Sequence, residues 1–263
     1  MLEEVLNGVS MISAAANEKF AKHYDIFMPG MKLLLQNIPS EDETQVRLRL
    51  VAIETMSFLI GTIKDEERFI NECEQIMDDF IKLQSTLDMD DAQHGPIMDF
   101  YCQVSAYMRE NFVKYMEYIY PKVLEFLKMK VQVFHINDEK DTKFAIKGNL
   151  KTELMNIDNF TLDTATITNK LAACNSVFCF SKNLGKQFFP YISQTLPVLV
   201  DFFSDKMSLT AQQAIKSIKN MAFACQEESH VVEIINLSFV PLITTLKERI
   251  KVEDSNYFFF LIL

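Results

Sequence analysis

The chain has 263 residues, enough for one large domain or two small ones, and its 49% hydrophobic and 24% charged residues are close to the average of a folded protein. Only six glycines and seven prolines are present, which disfavours an all-β or loop-rich fold. The net charge of −10 disfavours nucleic-acid binding, because phosphate contacts require clustered Lys and Arg. Such a charge suits a basic protein partner better, and its simplest role is to keep the chain soluble.

Apolar residues recur at helical spacing along most of the chain, which predicts a largely helical protein. Ten helices are predicted, at residues 2–15, 20–37, 41–63, 66–84, 95–110, 112–129, 164–183, 186–205, 209–226 and 229–250. Gly185 stands where a helix C-cap is expected, just before the eighth helix. Most connections are short, and short connections between helices favour antiparallel neighbours.

One connection is much longer than the others. Residues 130–162 combine mixed charge with several Asn and Asp residues, which predicts an irregular and partly mobile insertion between two helices. Within it, the segment VQVFHI at 131–136 is compatible with a short strand. We therefore expect helical repeats at 1–129 and 163–250 on either side of the insertion, and an apolar tail at 251–263 that is not a domain.

A phenylalanine followed nine residues later by a proline recurs along the chain. The pairs are Phe20–Pro29, Phe112–Pro121 and Phe188–Pro197. Asp78 and Pro241 mark the corresponding positions in two further helices. Successive markers are roughly 43 to 49 residues apart once the ~30-residue insertion is subtracted. A period of ~40–47 residues that contains two helices is typical of a HEAT repeat. A proline inside a helix costs about 3 kcal/mol. Its recurrence therefore indicates a repeated bend in one helix of each pair.

The repeat predicts an all-α fold, a HEAT-repeat α-solenoid made of antiparallel helix pairs in a right-handed superhelix. Both ends of the chain are apolar, whereas the end repeats of a solenoid normally carry a polar face. The apolar residues are Val5, Val9, Met11, Ile12 and 258–263. We expect the chain to associate through them. No stretch approaches the ~18 apolar residues that span a bilayer, so no membrane insertion is expected.

The sequence contains no convincing catalytic, cofactor-binding or metal-binding motif. Its four histidines are scattered without ligand spacing, and no glycine-rich nucleotide-binding motif is present. The five cysteines are odd in number and irregularly spaced, which fits neither a disulfide framework nor a zinc site. We expect all five to be buried small hydrophobic residues in a reducing compartment.

Acidic residues cluster around the end of the fourth predicted helix and the turn that follows it. They form a candidate acidic interaction surface for basic partners, made of Asp78, Asp79, Asp88, Asp90 and Asp91. Such a surface would raise association rates in a salt-dependent way. The alternative is that these residues simply form a solvated turn and an outer helix face.

Several segments resemble helices of the importin-beta (karyopherin-beta) superfamily, and most of all its karyopherin-beta-three subfamily of nuclear import receptors. They are NEKFAKHYDIFMPGMKLLLQN at 17–37, ENFVKYMEYIYPKVLEFLK at 110–128 and the segment at 159–203. The acidic turn TLDMDDAQHGPIMDFY at 86–101 is similar too. The resemblance is collinear over roughly residues 10–228. Members of the family contain many more repeats, so the chain resembles an internal part of such a receptor.

The resemblance implies a nuclear transport receptor, or a fragment of one, that is not an enzyme. It implies basic cargo proteins bound by the second helices of the repeats, release by Ran-GTP, contact with nucleoporins, and shuttling between cytoplasm and nucleus. The N-terminal arch that forms the family's main Ran-GTP site has no counterpart among the segments that match. A general HEAT-repeat scaffold subunit of a multiprotein complex is the alternative, which the long insertion mildly disfavours.

Overall fold

The computed structural model describes residues 1–37, 43–129, 133–135, 160–162, 164–204 and 208–251. Within these ranges the α-helices are α1 (Leu2–Ala16), α2 (Tyr24–Asn37), α3 (Glu43–Ile60), α4 (Glu66–Thr86), α5 (His94–Met108), α6 (Val113–Lys128), α7 (Thr164–Asn183), α8 (Phe189–Asp201), α9 (Ser208–Ala224) and α10 (Glu228–Lys251). The strands are β1 (Val133–His135) and β2 (Phe160–Leu162). The ten predicted helices are confirmed, most of them to within two or three residues.

Three helices begin later than predicted because a short 3₁₀ turn leads into each of them. These turns are Asn17–His23 before α2, Arg109–Phe112 before α6 and Gly185–Phe188 before α8. Each turn opens with a residue of positive φ, at 47° for Asn17, 46° for Arg109 and 53° for Gly185. This repeated change of backbone direction was visible in the sequence only at the glycine.

The recurring phenylalanines anchor these 3₁₀ turns. Each one lies three residues after the residue of positive φ, and all three are buried. The Phe112 ring centroid lies 5.3 Å from that of Phe180 in α7. The Phe188 centroid lies 5.7 Å from that of Tyr120 in α6, with the rings edge to face. The phenylalanines are therefore core residues that fix where each helix starts.

The recurring prolines lie inside helices, as predicted, and they face solvent. Pro29, Pro121 and Pro197 are interior residues of α2, α6 and α8, and all three are exposed. The missing N–H of each proline would have bonded the carbonyl four residues earlier. Those carbonyls belong to residues that are also exposed, namely Asp25, Glu117 and Ser193. Water can therefore satisfy them, which lowers the cost of the proline.

Gly185 and Gly30 provide a matched pair of substitutions with opposite expected signs. A methyl group added to either glycine would meet no neighbouring atom within 4 Å. The expected effects of the two substitutions therefore differ only because the backbone conformations differ. Gly185→Ala places a side chain at φ +53° and should destabilise the chain by about 1–2 kcal/mol. Gly30→Ala, inside α2, should stabilise it by about 0.5–1 kcal/mol. Urea unfolding followed by circular dichroism measures both, and a loss of stability for both variants would contradict this account.

The described chain divides into two compact units. One comprises Met1–Val104 and Met129–Ala172, the other Ser105–Lys128 and Ala173–Leu263. In the first unit α1 and α2 both pack against α3, and buried side chains lie around most of the circumference of α3. In the second unit α8 packs against α6, α9 and α10. The core of this second unit is rich in aromatic rings, including Phe112, Tyr120, Phe126, Phe180 and Phe188.

The two strands form a short antiparallel ribbon at the ends of the predicted insertion. Val133 pairs with Leu162, Phe134 with Thr161 and His135 with Phe160. The strand predicted within 131–136 is confirmed at Val133–His135. The rest of the insertion lies outside the described residues.

The apolar faces predicted at the chain ends are only partly as expected. Met11 is 74% exposed, and Val5 and Ile12 are also exposed, but Val9 is buried.

In α10, the stretch Glu228–Lys247 is long and apolar enough to cross a bilayer, with a mean hydropathy of 1.4 and 11% of its residues buried. The expectation that no stretch approaches this length was therefore wrong. Helices of other folded proteins meet the same criteria, so this one stretch alone does not indicate a membrane protein. The tail at 252–263 lies outside the described residues.

The cysteines are all free thiols, but the expectation that all five are buried was wrong. Cys73, Cys102 and Cys174 are buried, whereas Cys179 and Cys225 are partly exposed. Burial raises the pKa of the Cys73 thiol, and Glu72 and Glu74 raise it further. Cys73 therefore stays protonated and behaves as a small apolar core residue.

Candidate interaction surfaces

The five aspartates predicted as an interaction surface lie in two places. Asp78 and Asp79 are exposed on α4, eight and seven residues before its end. Asp88, Asp90 and Asp91 lie in the turn between α4 and α5. Asp88 and Asp90 are exposed, but Asp91 is half-buried. The role of the exposed aspartates as a surface for basic partners stays a prediction.

Asp91 has a structural role within its turn. Its Oδ1 accepts hydrogen bonds from the backbone N of Gln93 at 2.8 Å and from Gln93 Nε2 at 3.1 Å. Its backbone N donates to the carbonyl oxygen of Asp88 at 3.0 Å, and His94 Nε2 lies 2.9 Å from that same oxygen. Because its carboxylate is engaged in the turn, Asp91 is less available to a partner than Asp88 or Asp90.

A buried polar network ties this turn to α3 and α7. Gln93 is fully buried, and its Oε1 accepts a hydrogen bond from Arg49 Nε at 2.9 Å. Asn169, also fully buried, donates from Nδ2 to the carbonyl oxygen of Asp91 at 2.9 Å. Burial lowers the pKa of Arg49, and the Asp91 carboxylate opposes that shift. The network thus joins α3, the start of α5 and the first half of α7 around one buried cation within the first unit.

Two further carboxylates lie on α3 and α5, which correspond to the second helices of two consecutive predicted repeats. Neither was among the predicted interaction residues. Glu54 in α3 and Asp99 in α5 are both exposed. Partial desolvation raises the pKa of Glu54, and the negative charge of Asp99 raises it further. The two side chains are thus close enough to repel each other. We name Glu54 and Asp99 the acidic pair.

A sequence signal for the acidic pair did exist. Glu54 and Asp99 occupy consecutive second helices and are separated by one repeat, within the ~40–47-residue period. Each stands among apolar neighbours, in the segments VAIETMSF and IMDFYC. A single acid in such a segment normally marks a solvated helix face. Their positions in the sequence do not show that the charge of Asp99 acts on Glu54.

The described residues contain no group of three or more His, Cys, Asp and Glu side chains that could hold a metal ion. His94 is fully buried at the start of α5.

No family model matches the chain. It is 28% identical over 222 residues to a probable importin-5 homolog of Dictyostelium discoideum, covering 83% of this chain and 19% of that protein. It is 22% identical over 195 residues to importin subunit beta-3 of Saccharomyces cerevisiae, covering 74% and 18%. Kap121p bound to Ste12p has a similar structure, with a TM-score of 0.69 at 16% identity, over 93% of this chain and 23% of that one.

The chain thus spans about a fifth of the length of the curated relatives it matches. Apart from its short ribbon, the described part is helical, and its fold is the HEAT-repeat α-solenoid of Kap121p. The chain is thus similar in sequence to two importins and similar in fold to Kap121p.

Proposed function

We propose that the chain is a segment of a nuclear transport receptor that binds basic cargo proteins during import into the nucleus. The acidic pair carries this proposal, because it offers two neighbouring carboxylates on second helices of adjacent repeats. The function is binding without catalysis.

The solved structures of Kap121p support the choice of partners. Kap121p has been solved bound to Pho4p, to Nup53p and to RanGTP. By this likeness we propose basic cargo, nucleoporins and Ran-GTP as partners of the receptor to which the segment corresponds. Shuttling between cytoplasm and nucleus follows from the same role.

Repulsion within the acidic pair gives the binding mechanism. Asp99 disfavours the charged form of Glu54, and a lysine or arginine placed between the two relieves that repulsion. Binding of a cation therefore lowers the raised pKa of Glu54 and favours its charged form. Affinity should fall as the pH is lowered through the raised pKa of Glu54, because the protonated pair attracts a cation less strongly.

Charge reversal tests the acidic pair against the aspartates predicted from sequence. Fluorescence anisotropy with a labelled lysine-rich peptide measures affinity for the whole chain at low salt. Glu54→Lys with Asp99→Lys should weaken binding by at least about tenfold, which corresponds to about 1.4 kcal/mol. Asp78→Lys with Asp79→Lys changes the net charge equally and should weaken binding by less than about threefold, because those charges are farther from the site.

The outcomes separate the alternatives. Equal losses in the two double variants would show non-specific attraction to an acidic chain. A larger loss for the Asp78 and Asp79 variant would assign binding to the surface on α4. No saturable binding of a basic peptide by the unaltered chain would contradict the cargo role and favour the scaffold alternative.

A further inference from the structure

The second half of α7 and the whole of α9 lie in the second unit, and both helices have a charge opposite to that of the chain. Neither the sequence of α7 nor that of α9 contains an Asp or a Glu, although the whole chain has a net charge of −10. Lys182 in α7 and Lys216 and Lys219 in α9 are all exposed. Positive charge is therefore concentrated on two helices of an acidic protein.

One hydrogen bond joins α7 and α9 near these lysines. Asn220 Nδ2 in α9 donates to the carbonyl oxygen of Phe178 in α7 at 3.4 Å, which joins the two helices at this level. The Nζ of Lys182 lies 5.9 Å from the centroid of the Phe178 ring. Lys219 directly precedes Asn220, and Lys216 lies one helical turn before it.

An exposed aromatic residue shares this surface. Phe223 follows Lys219 by four residues and Lys216 by seven, so all three lie on one side of α9. Phe223 is 74% exposed, which is unusual for a phenylalanine. We name the surface of Phe178, Lys182, Lys216, Lys219 and Phe223 the basic face.

The positive charge of the basic face is not neutralised within the described residues. None of its three lysines forms an ion pair there, whereas Lys122 in the same unit pairs with Glu125 at 3.3 Å. Clustered lysines without acids repel one another. A bound group with negative charge would relieve that repulsion.

We propose that the basic face binds an acidic linear peptide that carries an apolar side chain among its carboxylates. The lysines attract the carboxylates, and Phe223 offers apolar area to the peptide's own apolar residue. A protein segment fits better than a nucleic acid, because strong nucleic-acid binding requires more phosphate contacts than three lysines provide, and the chain's overall charge repels a polyanion. This inference is independent of the proposed cargo role, which concerns basic segments and the first unit.

Anisotropy with a labelled peptide of alternating Asp and Glu around one phenylalanine tests the proposal on the full chain. Lys182→Glu, Lys216→Glu and Lys219→Glu together should weaken binding at least about tenfold. The matched control changes three exposed lysines of the first unit in the same way, Lys19→Glu, Lys22→Glu and Lys82→Glu, and should weaken it less than about threefold. Circular dichroism confirms that each variant is folded.

Three further results decide the outcome. Phe223→Ala should weaken binding by roughly three- to tenfold, because apolar contact area is lost. Glu54→Lys with Asp99→Lys should leave acidic-peptide binding unreduced, which keeps this test separate from that of the cargo role. Equal losses in the two triple variants, no saturable binding, or tighter binding of single-stranded DNA at ~150 mM salt would each overturn the proposal.

Discussion

Replacing Phe112 by alanine is expected to lower the free energy of unfolding by about 3–5 kcal/mol. The Phe112 side chain is fully buried, and its ring packs 5.3 Å from Phe180 and 5.8 Å from Tyr115, centroid to centroid. Its loss leaves a cavity at the point where the 3₁₀ turn leads into α6. Urea unfolding followed by circular dichroism measures the effect.

Phe223→Ala is the matched control for this prediction. It removes the same side chain from the surface of the same unit, so its effect should stay within about 0.5 kcal/mol. Hydrogen exchange adds a spatial test, because the stability of a repeat protein comes mainly from contacts between neighbouring repeats. Protection should fall first in α6 and in the second half of α7. Similar stabilities for the Phe112 and Phe223 variants would show that Phe112 is not an anchor of the fold.

Replacing Gln93 by alanine is expected to cost about 1.5–3 kcal/mol. The side chain of Gln93 accepts from the buried Arg49 and donates to both carboxylate oxygens of Asp91, at 3.1 and 3.2 Å. Alanine removes all of these bonds and leaves buried groups with fewer partners. Urea unfolding and hydrogen exchange in the turn before α5 measure the loss.

Two variants make this prediction specific to a buried network. Gln75→Ala removes an exposed glutamine that bonds Lys32 at 3.3 Å, and it should change stability by less than about 0.5 kcal/mol. Arg49→Met combined with Gln93→Leu removes both buried partners and should recover part of the loss, because no buried cation then lacks an acceptor. If Gln93→Ala and Gln75→Ala were equally mild, the network would not contribute measurably to stability.

Most of the fold could be predicted because helical periodicity is a local property of the sequence. The bounds of α7 were predicted without error, and the helix-interior positions of the prolines were also correct. None of the three 3₁₀ turns was predicted, and the positive φ was unexpected at Asn17 and Arg109 because neither residue type requires it. Tertiary packing imposes that backbone conformation there, and sequence patterns do not report it.

The interaction surfaces were harder to predict because they depend on which charges meet. Asp91 looks like its acidic neighbours in sequence, yet its carboxylate is held by Gln93. Glu54 and Asp99 look like isolated charges in sequence, yet the charge of Asp99 adds to the desolvation that raises the pKa of Glu54. The basic face was not predicted because the net charge of −10 describes the whole chain and not the local distribution of lysines. Composition gives an average, whereas binding depends on local arrangement.

The outward prolines have a mechanical consequence for the helices that contain them. At Pro29, Pro121 and Pro197 the hydrogen-bond ladder already lacks one rung on the solvent side. A change of curvature there stretches bonds to water, which re-form rapidly, and breaks no bond between backbone groups. The bending stiffness of each helix is therefore lowest at one fixed position, twelve residues after the residue of positive φ. Repeating that soft position from helix to helix would let a solenoid share a large deformation among many small ones.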